Sequence, residues 1–278
     1  MKERSILITG CSSGIGLCVA HGLLKRGYRV FATARKEEDV KRLKGEGLEG
    51  LVLDLDDSKS ISNGLNIVLS RTGGNLYGLF NNGGYGQPGA LEDLPRDILR
   101  KQFETNLFGW HELTRLVLPI MRKQGEGRII QNSSVLGLIA LPFRGAYVAS
   151  KYALEGLTDT LRLELKSTNI YVSLVEPGPI ESCFRQKAYQ KYRENIDISN
   201  SPFIKFYQAM EKRLTNDTSP LPFTLPAEAV LAKVVHALES GRPRARYYLT
   251  FPTYLFGYLK RILPNYLLDY FLLKVGDR

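Results

Sequence analysis

The 278-residue chain has few of the side chains that build disulfide frameworks or metal centres. Its cysteines and histidines are Cys11, Cys18, Cys183, His21, His111 and His236. The cysteines are odd in number and form no CxxC or Cys/His cluster, which argues against a disulfide framework and a structural zinc site. We therefore expect reduced thiols, no bound metal and a cytoplasmic protein.

Long apolar runs are also missing. The run SILIT near the start is too short for the core of a signal peptide, and no apolar segment approaches the length that spans a bilayer. The formal net charge of +10 favours an anionic partner, such as a phosphate-bearing cofactor, an acidic membrane surface or a nucleic acid. Because the basic residues are scattered and no nucleic-acid motif is present, we expect no nucleic-acid partner.

What the sequence does contain is a regular alternation of short apolar runs with longer amphipathic stretches. Seven runs are typical of strands: 5–9, 28–33, 51–55, 76–82, 128–134, 170–178 and 245–250. Strands separated by helices indicate βαβ units and a parallel sheet that is covered on both faces. The pattern predicts an α/β fold of Rossmann type, a doubly wound seven-stranded parallel sheet in three αβα layers, as one domain over 1–278.

Three other segments carry structural predictions. We expect a long helix over 96–123, interrupted near Pro119. Residues 181–225 are polar, aromatic and rich in turn residues, which indicates a lid without regular structure. The extension 251–278 is helical, is divided by Pro264, and either lies on a membrane through Lys260 and Arg261, closes the pocket, or forms a contact in a homodimer.

Two motifs suggest chemistry. TGCSSGIG, residues 9–16, joins a strand to a helix, and its glycines would let the backbone approach a phosphate at the helix N-terminus. Its G-x-x-x-G-x-G spacing differs from the common dinucleotide fingerprint, and a glycine turn without a ligand also fits. In GAYVASKYALEG, Tyr147 and Lys151 share one helix face, where a cation could lower the pKa of a phenol that exchanges protons. Taken alone, this spacing is more often that of an ordinary amphipathic helix with one buried tyrosine and one solvated lysine.

Further motifs follow in a fixed order: Asp54, NNGG at 81–84, Asn106 in TNLFG, Ser134 thirteen residues before Tyr147, and EPGPI at 176–180. With them, nearly the whole chain resembles the short-chain dehydrogenase/reductase family. It is most similar to the branch of hydroxysteroid and retinol dehydrogenases and to related bacterial aldehyde reductases. Gly83 stands where the family usually has alanine, and Ser182 where it has threonine, but neither change removes a group that the reaction needs.

The resemblance implies hydride transfer from a nicotinamide cofactor to a carbonyl carbon, with Asn106, Ser134, Tyr147 and Lys151 as the catalytic residues. Tyr147 would protonate the developing alkoxide, or act as base in the oxidation. Lys151 would lower the pKa of Tyr147 and hold the nicotinamide ribose, and Ser134 would donate a hydrogen bond to the carbonyl oxygen. Asn106 would anchor a water molecule that links Lys151 to solvent.

The resemblance also implies a set of cofactor-binding residues. They are Gly10, Ser12, Ser13, Gly14, Ile15, Gly16, Arg35, Asp54, Leu55, Asn82, Gly83, Tyr147, Lys151, Pro177, Gly178, Ile180 and Ser182. The end of the second strand selects the cofactor, because an acidic residue there favours NAD and an arginine accepts the 2′-phosphate of NADP. Arg35, with help from Ser12, therefore predicts NADP(H). The alternative is that Arg35 and Lys36 only open a solvated helix.

Two further residues, Asp54 and Asn81, concern the adenosine end of the cofactor. Asp54 either contacts the adenine or caps the turn after the third strand. Asn81 is expected to bridge the central strands beneath the adenosine. The three histidines lie outside every motif, so we assign them no catalytic role.

The substrate prediction depends on the lid. An apolar wall over the nicotinamide is expected from Phe143, Phe184, Tyr189, Tyr192, Phe203, Phe206, Tyr207 and Met210. Such a wall suits a bulky lipophilic aldehyde or ketone, although these side chains could instead pack on one another. The sequence thus predicts an NADP-dependent aldehyde or carbonyl reductase. The alternatives are a hydroxysteroid, retinol or 3-oxoacyl-type alcohol dehydrogenase, and a non-catalytic NADP-binding sensor.

Overall fold

The computed structural model describes residues 4–215 and 222–276. In this part of the chain, seven parallel strands form one sheet in the order β3-β2-β1-β4-β5-β6-β7. The strands are β1 (Ser5–Ile8), β2 (Arg29–Ala34), β3 (Glu49–Val52), β4 (Gly78–Asn81), β5 (Gly127–Asn132), β6 (Ile170–Pro177) and β7 (Arg246–Leu249). The predicted Rossmann-type sheet is confirmed.

The helices cover both faces of the sheet or follow its last strands. They are α1 (Gly14–Lys25), α2 (Glu37–Gly45), α3 (Ser58–Thr72), α4 (Arg96–Phe103), α5 (Gly109–Gln124), α6 (Gly145–Glu164), α7 (Phe184–Asn195), α8 (Ile204–Thr215), α9 (Glu228–Glu239), α10 (Phe251–Ile262) and α11 (Asn265–Gly276). Helices α1, α2 and α9 supply side chains to the core on one face of the sheet. Helices α3, α5 and α6 supply the core on the other face.

Strand β1 shows why the sheet needs two helical layers. Its side chains alternate in direction, so Ile6 and Ile8 join one core while Leu7 joins the other. All three are fully buried. A strand that is apolar on both sides is stable only where helices cover both faces.

The sheet order reverses beside β1, which pairs with β2 on one side and with β4 on the other. Connections leave in opposite directions from this point, so a crevice opens at the carboxyl ends of the two strands β1 and β4. The loop after β1 and the segment after β4 lie at this crevice. It is therefore where this fold positions a ligand.

The predicted helix over 96–123 is interrupted at a different point. A π-helical turn at Glu104–Phe108 separates α4 from α5, whereas Pro119 lies inside the continuous α5. Pro119 is on the exposed side of α5, where water can satisfy the carbonyl that loses its helical partner. The interruption belongs to the turn that contains Asn106.

The lid is more regular than the sequence suggested, because α7 and α8 occupy much of 181–225. Their aromatic side chains pack together, and this tertiary packing stabilises the two helices. The extension divides at Pro264 as predicted, with α10 ending at Ile262 and α11 beginning at Asn265. No helix of the described residues is long and apolar enough to cross a membrane.

Candidate active site

The loop after β1 requires glycine at two positions. A Cβ atom on Gly10, whose φ is +72°, would lie 2.5 Å from the Cα atom of Gly83, and one on Gly16 would lie 2.3 Å from the carbonyl oxygen of Gly10. These contacts bring the backbone of the loop against the segment after β4. Helix α1 starts at Gly14, so its first N–H groups are available to an anion in the crevice.

Hydrogen bonds tie this loop to the neighbouring strands. The side-chain amide of Asn82 donates to the carbonyl oxygen of Thr9 over 3.1 Å, and its oxygen accepts from Asn132 over 2.8 Å. The hydroxyl of Thr9 accepts from the backbone N–H groups of Asn82 and Gly83. Asn82 and Gly83 therefore set the shape of the crevice, and their contact with a cofactor stays a prediction.

Three cations surround the glycine-rich loop. Arg35 is exposed directly after β2. From α2, the guanidinium of Arg42 donates to the carbonyl oxygen of Ser12 over 2.6 Å. From α7, the ammonium of Lys187 donates to the hydroxyl of Ser13 over 3.0 Å. Sequence reasoning missed the last two, because only the fold brings α2 and α7 to this loop.

The remaining predicted cofactor residues line the same edge of the sheet. One carboxylate oxygen of Asp54 accepts the backbone N–H of Asp56, which is the turn-capping role that the sequence left open. Leu55 is buried and packs close to Gly83. A Cβ atom on Gly14 would lie 3.1 Å from that of Ser182, so the segment after β6 reaches the start of α1.

Pro177, Gly178 and Ile180 belong to that segment after β6. Pro177 is the last residue of the strand and is buried. Gly178 lies so close to Thr250 that a Cβ atom would come within 2.1 Å of its hydroxyl oxygen. Ile180 forms a bridge with Leu225, which closes the base of the lid.

The four predicted catalytic residues converge at the carboxyl ends of β4 and β5. Ser134 lies close enough to the hydroxyl of Tyr147, on α6, to lower its pKa, and the hydroxyl of Ser134 accepts the backbone N–H of Leu136 over 3.1 Å. One turn further along α6, the buried ammonium of Lys151 donates to the carbonyl oxygen of Asn132 over 2.8 Å. It also lies 4.2 Å from the ring centroid of Trp110, a cation–π contact that helps to hold a buried charge.

Asn106 is fixed from two sides. Its side chain accepts from the backbone N–H of Tyr85 over 3.2 Å and donates to the carbonyl oxygen of the same residue over 2.9 Å. A weaker contact of 3.4 Å reaches the hydroxyl of Ser150. The π-helical turn makes this geometry by widening the helix at Asn106, as such turns often do at functional sites. Its predicted role in holding water stays a prediction.

The pKa values in the site differ from the sequence expectation. Burial raises the pKa of Tyr147 to about 12, and the hydrogen bond with Ser134 acts in the opposite direction. Burial also lowers the pKa of Lys151 to about 7, against the attraction of Glu155. The sequence predicts that Lys151 lowers the pKa of Tyr147, but burial raises that pKa and only Ser134 acts against it. Tyr147 is protonated at neutral pH, as a general acid must be.

Behind Lys151 lies a cluster of buried charges that sequence reasoning missed. Arg246 of β7 contacts the carboxylates of Glu155 and Glu176, and it donates to Asp159 over 2.6 Å. Burial raises the pKa of Glu176 to about 9, with Glu155 acting in the same direction and Arg246 against it. The only sequence signal was the spacing of Glu155, four residues after Lys151 on one helix face.

The apolar wall predicted over the crevice forms only in part. Seven of the eight side chains pack together in a separate cluster with Ala90 and Ile196: Phe143, Tyr189, Tyr192, Phe203, Phe206, Tyr207 and Met210. Of the eight, Phe184 alone lies against Tyr147, with 5.5 Å between the centroids of the two rings. The alternative of mutual packing therefore describes most of the lid.

The donor set of this crevice fits a dinucleotide. A glycine cradle and the start of α1 meet the needs of a diphosphate, and the surrounding cations complement its charge. The tyrosine and lysine lie further along the same edge of the sheet, where the reacting ring of a nicotinamide would be held. Among the described residues, no group of three His, Cys, Asp or Glu side chains could hold a metal ion.

Comparisons with known proteins agree with this geometry. The family profile described as short chain dehydrogenase matches residues 4–193. The uncharacterized oxidoreductase YbbO of Escherichia coli is 43% identical over 97% of this chain and 94% of its own length. Human retinol dehydrogenase 8 is 40% identical over 87% of this chain and 80% of its own.

A solved structure of a family member has the same fold. A short chain dehydrogenase/reductase from Burkholderia phymatum, in complex with NAD, superimposes with a TM-score of 0.78 and is 25% identical, covering 94% of this chain and 92% of that one. Sequence motifs, sheet order and crevice geometry all lead to one assignment. This chain belongs to the short-chain dehydrogenase/reductase family and is an oxidoreductase that binds a nicotinamide cofactor.

Proposed function

We propose that this protein is an NADP(H)-dependent reductase that converts a lipophilic aldehyde or ketone to its alcohol. One observation carries the proposal: Tyr147 lies between Ser134, which lowers its pKa, and the buried ammonium of Lys151, whose nitrogen is 5.7 Å from the centroid of the tyrosine ring. This arrangement can orient a carbonyl oxygen and protonate it. A protein that only binds the cofactor has no need of such an acid.

Each residue of the site has a separate role in the proposed reaction. When bound, the cofactor supplies a hydride to the carbonyl carbon. The hydroxyl of Ser134 orients the carbonyl oxygen, and Tyr147 donates its proton to the same oxygen as negative charge develops. The raised pKa of Tyr147, about 12, keeps that proton in place at neutral pH. The carbonyl oxygen of Asn132 holds Lys151 beside the tyrosine.

The proton that Tyr147 gives up has to be replaced. Lys151 has a pKa lowered to about 7 by burial, so it can both release and regain a proton at neutral pH. Its ammonium nitrogen lies 5.7 Å from the ring centroid of Tyr147. Asn106 is the candidate anchor for the water that would connect this pair to solvent.

The preference for NADP(H) is supported by the positive charge near the adenosine end of the crevice. Arg35 follows β2 directly, at the position where an acidic residue would bind the ribose hydroxyls of NAD. Arg42 adds positive charge at the glycine-rich loop, where it donates to the carbonyl oxygen of Ser12 while it pairs with Asp39 and Glu46. A guanidinium such as that of Arg35 suits a ribose phosphate. The relative from Burkholderia phymatum contains NAD, so family membership alone does not select the cofactor.

The apolar character of the substrate is supported by Phe184 and by one relative. Phe184 presents its ring to Tyr147, so a substrate carbonyl at the tyrosine lies beside an aromatic surface. Human retinol dehydrogenase 8 is named for retinol, a bulky apolar alcohol. The same relative favours a second candidate function, in which this chain oxidises a lipophilic alcohol with the same residues.

The test is NADPH and NADH oxidation with aldehydes and ketones of increasing apolar size. The wild type is compared with Tyr147→Phe, and Tyr28→Phe serves as the matched control because Tyr28 lies far from the crevice and contacts Glu239. We expect turnover with NADPH to fall by about three orders of magnitude in Tyr147→Phe alone. Equal NADPH binding by wild type and Tyr147→Phe, with turnover by neither, would instead support a sensor.

A further inference from the structure

The two C-terminal helices expose a second apolar face. On α10, Phe251, Tyr254, Leu255, Tyr258 and Ile262 are all exposed. Their spacing of i, i+3, i+4, i+7 and i+11 puts them on one side of the helix. A helix in a soluble protein normally turns such a stripe towards the core, and here the stripe faces outward.

Helix α11 continues this face. Tyr266 and Tyr270 are 71% and 54% exposed, and Leu267 and Phe271 are exposed beside them. The positions i, i+1, i+4 and i+5 again define one side of a helix. We call the exposed apolar side chains of α10 and α11 together the outer face.

The outer face makes ring contacts at its edges, where Phe251 lies against Phe223 and both Tyr254 and Tyr258 lie against Tyr248, but all of its side chains stay exposed. The opposite sides of α10 and α11 already pack on the domain through Phe256, Leu268 and Leu272, which form a cluster with Ile139. Thr253 and Gly257 are buried on the same inner side. Within residues 4–215 and 222–276, the outer face is left exposed to solvent.

The charges of α10 and α11 indicate what would cover the outer face. Between residues 251 and 275 the cations are Lys260, Arg261 and Lys274, and the single acid is Asp269. Lys260 lies on the opposite side of α10, against the ring and hydroxyl of Tyr152, whereas Lys274 lies over the ring of Tyr270 in the outer face. Tyrosines with lysine and arginine among apolar side chains are typical of surfaces at the boundary between lipid headgroups and acyl chains.

A second copy of this chain is a poorer partner. A two-fold contact would bring the same patch on both copies together, so that the excess of cations on one copy would face the same excess on the other. An anionic bilayer offers the opposite charge to these cations and an apolar layer to the aromatic side chains. Charge complementarity therefore favours the bilayer.

We propose that the outer face of α10 and α11 docks the protein on the surface of an anionic membrane, with the helices in the plane of the interface. The inner sides of these helices pack on Val135 and Leu136, the residues that follow Ser134. Docking would bring this rim of the crevice towards the lipid, where an apolar carbonyl compound accumulates. That last consequence rests on the proposed function, whereas docking itself does not.

The experiment is flotation of the full chain with phosphatidylcholine vesicles, with and without about one third phosphatidylglycerol. We expect flotation with the anionic vesicles only. The double variant Ile262→Ser with Tyr266→Ser should bind about tenfold more weakly, and so should Arg261→Glu with Lys274→Glu.

The apolar control is Ile67→Ser with Leu163→Ser, which removes exposed side chains elsewhere. The charge control is Lys123→Glu with Lys166→Glu, at the amino-terminal edge of the sheet, and both controls should bind as the wild type does.

Two results would overturn the proposal. One is the absence of flotation with either vesicle by a protein whose circular dichroism shows that it is folded. The other is a dimer in light scattering that dissociates in Ile262→Ser with Tyr266→Ser, which would assign the outer face to a second copy. Because the measurement is binding to lipid, loss of docking and failure of the proposed reductase activity are separate outcomes.

Discussion

Lys187 of α7 donates a hydrogen bond to Ser13 of the glycine-rich loop, with 3.0 Å between the ammonium nitrogen and the hydroxyl oxygen. The contact joins the lid to the loop at which α1 begins, across 174 positions of sequence. An ammonium has three donors, so Lys187 can hold Ser13 and meet a phosphate oxygen at the same time. The lid is thus attached directly to the cofactor crevice.

We expect Lys187→Met to raise the KM for NADPH about fivefold while kcat stays unchanged, because one exposed charge–phosphate contact is lost and no reacting group is touched. Steady-state kinetics at two salt concentrations measures this, and the difference should shrink at high salt. Lys205→Met, an exposed lysine of the other lid helix, is the control. An unchanged KM at low salt would show that Lys187 does not contact the cofactor.

Arg35 should decide the cofactor. In Arg35→Asp, the ratio of kcat/KM for NADPH to that for NADH should fall about 30-fold or more, since a carboxylate repels the 2′-phosphate and accepts bonds from ribose hydroxyls. Lys41→Asp makes the same charge change at another exposed position and should leave the ratio nearly constant. If both variants change the ratio equally, the effect is one of overall charge and Arg35 has no specific role.

The two directions of the reaction should respond differently to pH. Alcohol oxidation needs Tyr147 without its proton, and its pKa is about 12, so kcat/KM should rise about tenfold per pH unit above neutral. Carbonyl reduction needs the proton in place and should show no such rise. Initial rates in both directions between pH 7 and 10 test this. A plateau of oxidation just above neutral pH would show that the tyrosine ionises far more easily in the working enzyme.

Glu176 should make the folded state less stable at alkaline pH. Its folded pKa is raised to about 9, above the ordinary 4.5, so its contribution to stability is complete below pH 4.5 and is lost as pH rises towards 9. In Glu176→Gln this loss disappears. The variant should match the wild type near pH 5 and exceed it in free energy of unfolding at pH 9, by a difference that grows at up to about 1.4 kcal/mol per pH unit in between.

Urea unfolding at the two pH values measures this difference. Glu181→Gln, an exposed neighbour in sequence, is the control and should follow the wild type at both. Since Arg246 keeps Glu155 and Asp159 as partners in Glu176→Gln, the variant is expected to fold. A variant that is less stable than the wild type at pH 9 would show that the ionised carboxylate stabilises the cluster.

The strands were the most predictable part of this protein. A strand such as β5 is buried along its whole length, so its apolar run is visible in the sequence without any knowledge of its neighbours. The sequence predicts an interruption of the helix near Pro119, because proline disrupts helices more strongly than any other residue. The actual interruption at Glu104–Phe108 follows from fitting Asn106 against Tyr85, a contact that no local pattern reveals.

The prediction of an irregular lid was wrong for a related reason. Its polar and aromatic composition resembles that of an irregular segment, because helices α7 and α8 gain their stability from tertiary packing of rings such as Phe143 on Phe206. The same packing withdraws most of these aromatic residues from the crevice. Composition alone could not say whether these aromatic side chains face a substrate or each other.

The sequence by itself determined the family, the order of strands and helices, and the positions of Tyr147 and Lys151, because each depends on spacing within a few residues. Only the tertiary structure decided the electrostatics of the site. Burial raises the pKa of Tyr147 and lowers that of Lys151, and burial is a property of neighbours that are distant in sequence. For the same reason, the roles of Lys187, Arg42 and Arg246 were identified only from the structure, since each contacts residues that are distant in sequence.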